Sequence, residues 1–154
     1  MTYLIDFLGC KVNSYEADCV GNDLENVGYK FVKNDENPDV IVINTCSVTN
    51  TSGQKSRKLV RQYRDKYKNA IIVVMGCESQ NEGSNFNDTL GADIVIGTSH
   101  RNEIVKLIDD FKKYQKPIYI CDEASKITKY EDLKVEHFAF NTRAYVKIQD
   151  GCNN

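Results

Sequence analysis

Three short aliphatic runs, each ending in a cysteine, constrain the fold of this chain more than any other feature. The central run is Val40-Ile41-Val42-Ile43-Asn44-Thr45-Cys46. Four consecutive aliphatic residues are typical of a strand buried on both faces, as in a parallel sheet covered by helices. Tyr3-Leu4-Ile5-Asp6-Phe7-Leu8-Gly9-Cys10 and Ala70-Ile71-Ile72-Val73-Val74-Met75-Gly76-Cys77 end in the same way. The sequence therefore predicts three buried strands, each followed by a thiol.

The spacing of these cysteines predicts that they meet. Cys10 and Cys46 are 36 residues apart, and Cys46 and Cys77 are 31 residues apart. Such intervals fit strand–helix–strand units, which return the chain to the same edge of a sheet. Because parallel strands place their carboxyl ends on one side, we expect the three thiols to converge on a three-thiolate metal site.

Composition narrows the class of protein. The chain has 154 residues, of which 41% are hydrophobic and 27% charged, as in a globular domain with a short extension. No apolar run approaches the roughly 20 residues of a membrane span, and the N-terminus enters a strand without a signal peptide, so a cytoplasmic protein without membrane contact is expected. In that reducing compartment, six cysteines indicate metal binding or catalysis in preference to disulfides.

The first predicted helix follows Cys10 and extends to about Val27. Asn13 and Ser14 are its candidate N-caps, and Gly28 is its candidate C-terminal stop. Apolar residues at helical spacing form its inner face: Ala17, Val20, Leu24 and Val27. Cys19 lies off this face and is expected to be a partly exposed thiol.

A second amphipathic helix is predicted over about 52–68. Its inner face consists of Leu59, Val60, Tyr63 and Tyr67. Its outer face is basic, with Lys55, Arg57, Lys58, Arg61, Arg64, Lys66 and Lys68 against a single acid, Asp65. The net charge of −2 excludes a generally basic nucleic-acid binder, but not a local face that contacts phosphates. A merely solvated helix face explains the pattern equally well.

The fourth core strand, Asp93-Ile94-Val95-Ile96-Gly97, ends in glycine and not in cysteine. The predicted site would therefore have three thiolates and one free metal position. A last helix opens at Thr98, Ser99 and His100, and its inner face comprises Ile104, Leu107, Ile108 and Phe111. His100 is a possible ligand, but a histidine at a helix start is more typically a capping or surface residue.

These elements predict a three-layer α/β domain over residues 1–115, with flavodoxin-like winding and a mostly parallel sheet of four or five strands. A strand and a charged linker follow over 116–141, with Cys121 as a structural thiol inside the strand. Residues 142–154 are predicted to form a new strand that leads into Gly151 and Cys152, as expected at the start of a truncated second domain.

Three thiolates on separate strand ends suit a [4Fe–4S] cluster with one iron open to another ligand. The polar side chains of Asn13, Asn44, Thr45 and Ser47 are candidates for hydrogen bonds around the cluster sulfurs, although some of them could simply cap helices. The alternative is that the thiols fill small spaces at the edge of the core, since free cysteine is often buried.

Three motifs carry a family resemblance: Leu8-Gly9-Cys10-Lys11-Val12-Asn13, Ile43-Asn44-Thr45-Cys46-Ser47-Val48-Thr49 and Met75-Gly76-Cys77. Together they resemble the N-terminal domain of radical S-adenosylmethionine methylthiotransferases, which act on tRNA. The resemblance implies that Cys10, Cys46 and Cys77 hold an auxiliary [4Fe–4S] cluster. It also implies that Cys152 is the first ligand of a second [4Fe–4S] cluster, which cleaves S-adenosylmethionine in the full-length enzyme.

The residues around Cys10 indicate the branch of this family. Gly9-Cys10-Lys11-Val12-Asn13 resembles the branch that methylthiolates C2 of N6-threonylcarbamoyladenosine beside the tRNA anticodon. The isopentenyladenosine branch is the alternative substrate class. No catalytic side chain is assigned, the sulfur donor stays open, and the 154-residue chain alone is expected to be inactive because the S-adenosylmethionine-cleaving motif is incomplete.

Two other classes of protein remain possible from the residues alone. One is a structural metal-binding or interaction module without catalysis, in which three cysteines would hold zinc or no metal. The other is a flavodoxin-like nucleotide-binding domain. It ranks last because no glycine-rich phosphate-binding pattern follows the first strand.

Overall fold

The computed structural model describes residues 1–34, 36–123, 131, 133–136 and 145. These residues contain a six-stranded, all-parallel sheet with the strand order β2-β1-β3-β4-β5-β6. The strands are β1 (Thr2–Phe7), β2 (Lys30–Phe31), β3 (Val40–Thr45), β4 (Ile71–Gly76), β5 (Ile94–Ile96) and β6 (Ile118–Ile120). The α/β class is confirmed, with one strand more than the four or five predicted.

Helices cover both faces of the sheet. They are α1 (Lys11–Asn26), α2 (Asn50–Lys66), α3 (Cys77–Glu82), α4 (Asn85–Asp88) and α5 (Ile104–Tyr114), with a 3₁₀ turn over Arg101–Glu103 before α5. α1 and α5 pack on one face, whereas α2 and α4 pack on the other. Alternate residues of β3 enter the two cores: Val40 and Val42 face α1 and α5, while Ile41 and Ile43 face α2. Such double burial is the reason for the continuous aliphatic runs.

The three central strands end almost level. Phe7 of β1 pairs with Asn44 of β3, and Asn44 pairs with Met75 of β4. The residues that follow these strands therefore emerge side by side at one edge of the sheet, as the spacing predicted.

The start of α1 differs from the prediction. The helix begins at Lys11, with Cys10 at its N-cap and no side-chain capping bond. Asn13 and Ser14 are thus not caps; they lie buried in the first turn. Gly28, with φ of +90°, does follow the helix end.

Burial along α1 also differs. Cys19, expected to be partly exposed, is 1% exposed, whereas Val27, expected to be inward, is 54% exposed. α1 is enclosed from a second side, because the Tyr15 hydroxyl donates to the carbonyl of Leu133 (2.9 Å). Val27 has already left the helix as its C-cap residue and is free of the core face.

The predicted inner face of α2 is confirmed, since Val60, Tyr63 and Tyr67 are buried and Leu59 packs against them. The helix is displaced two residues towards the N-terminus. Its N-cap is Thr49, whose hydroxyl accepts from the amide of Ser52 (3.1 Å).

The sheet extends past residue 115. β6 pairs with β5, and Cys121 directly follows β6, so it lies at a strand end and not inside a strand. Glu131 and residues 133–136 are here named the docked segment. Leu133 is buried, and the amide of Glu136 donates to Asn22 Oδ1 of α1 (2.6 Å). This part of the predicted linker therefore contacts the domain. The strand and domain start predicted over 142–154 fall almost wholly outside the described residues. Among the described residues, no helix is long and apolar enough to cross a membrane.

Candidate metal centre

Cys10, Cys46 and Cys77, here named the cysteine edge, follow the adjacent strands β1, β3 and β4. Cys10 is exposed at the N-cap of α1, Cys46 is buried after β3, and Cys77 is partly buried at the first position of α3. All three are free thiols. The site is therefore closed towards the core and open towards solvent on the side of Cys10.

The three thiols lie close enough to affect one another electrostatically. The pKa of the Cys77 thiol is raised to about 11, chiefly by burial and then by Glu16, Cys46 and Cys10, while Arg101 acts in the opposite direction. The turn before Cys10 packs directly on Cys46, since a Cβ built on Gly9 would lie 2.7 Å from Cys46 Sγ. Gly9 has a φ of +112°, so both its conformation and its contact favour glycine.

The donor set discriminates between kinds of metal group. Within the described ranges, no three His, Cys, Asp or Glu side chains have the arrangement that holds one metal ion. In a [4Fe–4S] cluster each cysteine thiolate binds a different iron atom, so the ligands stand further apart than those of a single ion. Three soft thiolates from three neighbouring strand ends suit such a cluster by ligand type and number.

Asn13 links the first cysteine to the second. Its Oδ1 accepts from Cys10 Sγ (3.3 Å), and its Nδ2 donates to Asn44 Oδ1 (3.2 Å) and to the carbonyl of Thr45 (3.0 Å). Asn44 in turn donates from Nδ2 to the carbonyl of Asn13 (3.0 Å). Reciprocal bonds of this kind fix both amides and hold the Cys10 turn against the end of β3.

Thr45 links the second cysteine to the third. Its hydroxyl donates to the carbonyl of Met75 (2.7 Å) and accepts from the amide of Ser79 (3.2 Å), so it joins β3 to β4 and α3. The hydrogen bonds that Asn44 and Thr45 make among the described residues thus go to amide, carboxylate and backbone groups, and not to cysteine sulfur. Ser47 lines a polar surface cavity of about 330 Å³ between α2 and α3.

The structure also reveals a buried ion pair that the sequence did not indicate. Arg101 is 1% exposed, and its Nη1 lies 3.1 Å from Glu16 Oε1. Glu16 Oε2 accepts from Asn44 Nδ2 (3.1 Å), which places this pair directly behind the cysteine edge. The signal for Glu16 was its position at helical spacing between Asn13 and Val20. Arg101 gave none.

The basic residues of α2 separate into two groups. Arg57 is paired with Glu78 and Glu82, and Arg64 is paired with Asp93 and donates from Nε to the carbonyl of Gly91 (2.8 Å). These two arginines connect α2 to neighbouring segments. By contrast, Lys55, Lys58 and Arg61 have exposed side chains.

His100 lies at the surface between two carboxylates. Its Nδ1 is 2.7 Å from Glu103 Oε1, and its Nε2 is 2.8 Å from Asp122 Oδ2. The hydrogen bond to Glu103 is the main cause of a raised pKa, and that to Asp122 adds to it. Both ring nitrogens are thus occupied, in keeping with the surface role expected for this residue. Cys152 lies outside the described residues.

Comparison with known proteins places this geometry in context. The model of the family described as "Uncharacterized protein family UPF0004" matches residues 2–97. The threonylcarbamoyladenosine tRNA methylthiotransferase MtaB of Bacillus subtilis is 39% identical over 147 residues, which cover 96% of this chain and 33% of that protein. The protein of the same name from Thermotoga maritima is 33% identical, over 99% of this chain and 34% of its own length.

A second group of relatives is named for another modified nucleoside. The tRNA-2-methylthio-N(6)-dimethylallyladenosine synthase of Ehrlichia ruminantium is 29% identical over 150 residues, which cover 94% of this chain and 34% of that protein. The chain thus spans about a third of the length of the curated relatives that it matches.

Proposed function

The chain belongs to the UPF0004 family, the N-terminal domain of tRNA methylthiotransferases, and from this we propose that it is the auxiliary-cluster domain of a radical S-adenosylmethionine methylthiotransferase. The observation that carries the proposal is the cysteine edge, in which three thiols follow three adjacent strands of one sheet. A structural domain without metal would not require thiols at each of these positions.

Cys10, Cys46 and Cys77 are the residues that would hold a [4Fe–4S] cluster. Such a cluster, when bound by three thiolates, supplies one iron with a position open to a sulfur ligand. The protein contributes orientation and shielding. Asn13 fixes the turn of Cys10 against the end of β3 through its bonds to Asn44 and Thr45, Thr45 joins the strands that precede Cys46 and Cys77, and burial of Cys46 keeps water from one side. In a longer protein, Cys152 would provide the first ligand of a second cluster that binds S-adenosylmethionine.

Anaerobic reconstitution with iron and sulfide tests the cluster assignment. The chain is expected to bind about four iron atoms and as many acid-labile sulfides, the content of one [4Fe–4S] cluster. Cys46→Ala should lose most of this iron, whereas Cys121→Ala, which removes a thiol at the end of β6, should retain it. Iron and sulfide content, the visible spectrum and far-ultraviolet circular dichroism are the measurements.

Two outcomes would contradict this assignment. Equal iron content in the wild type and in a folded Cys46→Ala variant would remove Cys46 from the ligand set. Stoichiometric zinc without labile sulfide would favour the alternative of a structural metal module.

For the substrate, we propose N6-threonylcarbamoyladenosine in tRNA, methylthiolated at C2. The motif Gly9-Cys10-Lys11-Val12-Asn13 supports this branch, as do the names of the two relatives with 33% and 39% identity. Isopentenyladenosine is the alternative, supported by the relatives of the second group. Nucleoside mass analysis after turnover by a longer protein distinguishes the two, and the 154-residue chain alone is expected to give no turnover.

For tRNA contact, we propose the exposed basic residues of α2. Lys58→Glu with Arg61→Glu should weaken binding of tRNA to the chain, because each lost phosphate contact reduces the slope of log affinity against log salt by about 0.7–0.9. The matched control is Lys106→Glu with Lys113→Glu, which reverses two exposed lysines of α5 on the opposite face of the sheet. Equal effects of the two pairs in a salt titration would refute a binding face on α2.

A further inference from the structure

A continuous series of polar contacts runs from the cysteine edge to the docked segment. From Cys10 it passes through Asn13 and Asn44 to Glu16, with successive contacts of 3.3, 3.2 and 3.1 Å. From Glu16 it continues to Arg101 (3.1 Å). Arg101 Nε then donates to Glu131 Oε2 (2.8 Å). The first and last residues of this series are more than a hundred positions apart in the chain.

Each carboxylate in the series bridges two groups. Glu16 accepts from Arg101 on one oxygen and from Asn44 on the other. Glu131 accepts from Arg101 on Oε2 and from the amide of Asn102 on Oε1 (3.1 Å). Movement of either carboxylate therefore displaces partners on both of its sides.

The position of Arg101 makes the series stiff. A guanidinium cannot lose its proton in a protein, and at 1% exposure, with Glu131 in place, its charge is met by protein groups and not by water. Its planar fork fixes the directions of the bonds it donates. If Glu131 withdraws, Arg101 must shift towards its remaining partners, and Glu16 must follow or lose its bond to Asn44.

We infer that Arg101 is a positioning residue of the cysteine edge. Through Arg101, Glu131 couples the position of the docked segment to the conformation of that edge. Asn44 and Asn13, which carry the effect to Cys10, are buried. The inference rests on the proposed function only in so far as the coupling would affect a bound cluster. The coupling itself belongs to the protein.

Hydrogen exchange and thiol alkylation of the chain test this coupling. Glu131→Ala removes both bridging bonds, whereas Glu136→Ala truncates an exposed side chain of the same segment. For Glu131→Ala, peptides covering residues 8–14 and 44–47 should exchange faster, and Cys10 should react faster with iodoacetamide. The expected change is on the order of tenfold, as for one lost hydrogen bond to a charged group. Glu136→Ala should match the wild type.

A stability control separates positioning from a general loss of stability. Tyr3→Phe removes the buried hydroxyl that donates to Glu25 (3.0 Å), far from the cysteine edge. It should lower the melting temperature without accelerating alkylation of Cys10. Faster exchange confined to the docked segment in Glu131→Ala, with residues 44–47 and Cys10 unchanged, would overturn the inference.

The same variants distinguish this inference from the proposed function. In the reconstituted chain, Glu131→Ala should release iron to a chelator several-fold faster than Glu136→Ala. A wild-type chain that binds no iron would refute the cluster assignment, while exchange and alkylation would still decide the coupling.

Discussion

Replacement of Arg101 with methionine is expected to lower the free energy of unfolding by about 3–5 kcal/mol, the cost of breaking a buried ion pair by removal of one partner. The guanidinium is 1% exposed and is paired with Glu16 and Glu131, whose side chains are 6% and 11% exposed. Methionine fills much of the same volume, so the loss of unfolding free energy would arise from the unpaired carboxylates more than from an empty cavity. Urea unfolding followed by circular dichroism measures it.

Two further variants interpret this result. Adding Glu16→Gln to Arg101→Met should recover part of the lost stability, because a neutral amide costs less to bury than an unpaired carboxylate. Lys106→Met, an exposed position on α5, should change stability by less than about 0.5 kcal/mol. If Arg101→Met were as mild as Lys106→Met, the buried ion pair would not contribute to stability.

Gly76→Ala is expected to cost about 2–6 kcal/mol and to reduce iron binding. Gly76, the last residue of β4, has a φ of +103°, where an L residue is strained by about 1–3 kcal/mol. A Cβ at this position would also lie 2.3 Å from Asn44 Oδ1 and 2.5 Å from the carbonyl of Thr45. Forcing these groups apart adds about 1–3 kcal/mol of overpacking and moves the amide that holds Asn13.

Gly28→Ala is the matched control for this steric contact. Gly28 has a φ of +90°, but a Cβ there would meet nothing within 4 Å. It should therefore show the backbone strain alone and leave the iron content unchanged. Equal losses of stability for Gly28→Ala and Gly76→Ala would mean that Asn44 and Thr45 at the end of β3 move aside without cost. The cysteine edge would then not be tightly packed.

Local pattern was sufficient for the framework of the fold. Continuous aliphatic runs report burial on both faces, so β1, β3 and β4 could be placed, and strand–helix–strand spacing indicated that they are parallel. The inner face of α2, with Val60, Tyr63 and Tyr67, followed from helical periodicity. Neighbouring cysteines at one edge were a direct consequence of parallel strands that end level.

Local pattern failed where a side chain had a choice of partners. Asn13 looks like a helix cap in the sequence, but inside the helix it can bond to Asn44, which is 31 residues away. Arg57 and Arg64 look like members of a solvated basic face, yet carboxylates on other segments neutralise them. Cys19 looked exposed because it lies off the apolar face of α1, and nothing local indicated that Tyr15 and Asn22 of the same helix contact the docked segment.

The order of residues was enough to predict the class of fold, the sheet edge where the three cysteines lie and the family that they resemble. This is because the burial of a strand and the spacing between strands depend on local sequence. The polar groups that support that edge could be identified only in the folded chain. The ion pairs of Arg101 with Glu16 and Glu131 join residues with no regular spacing, and Glu131 lies 30 positions from Arg101. The partner of a buried charge is set by tertiary packing, and the periodicity of the sequence does not indicate it.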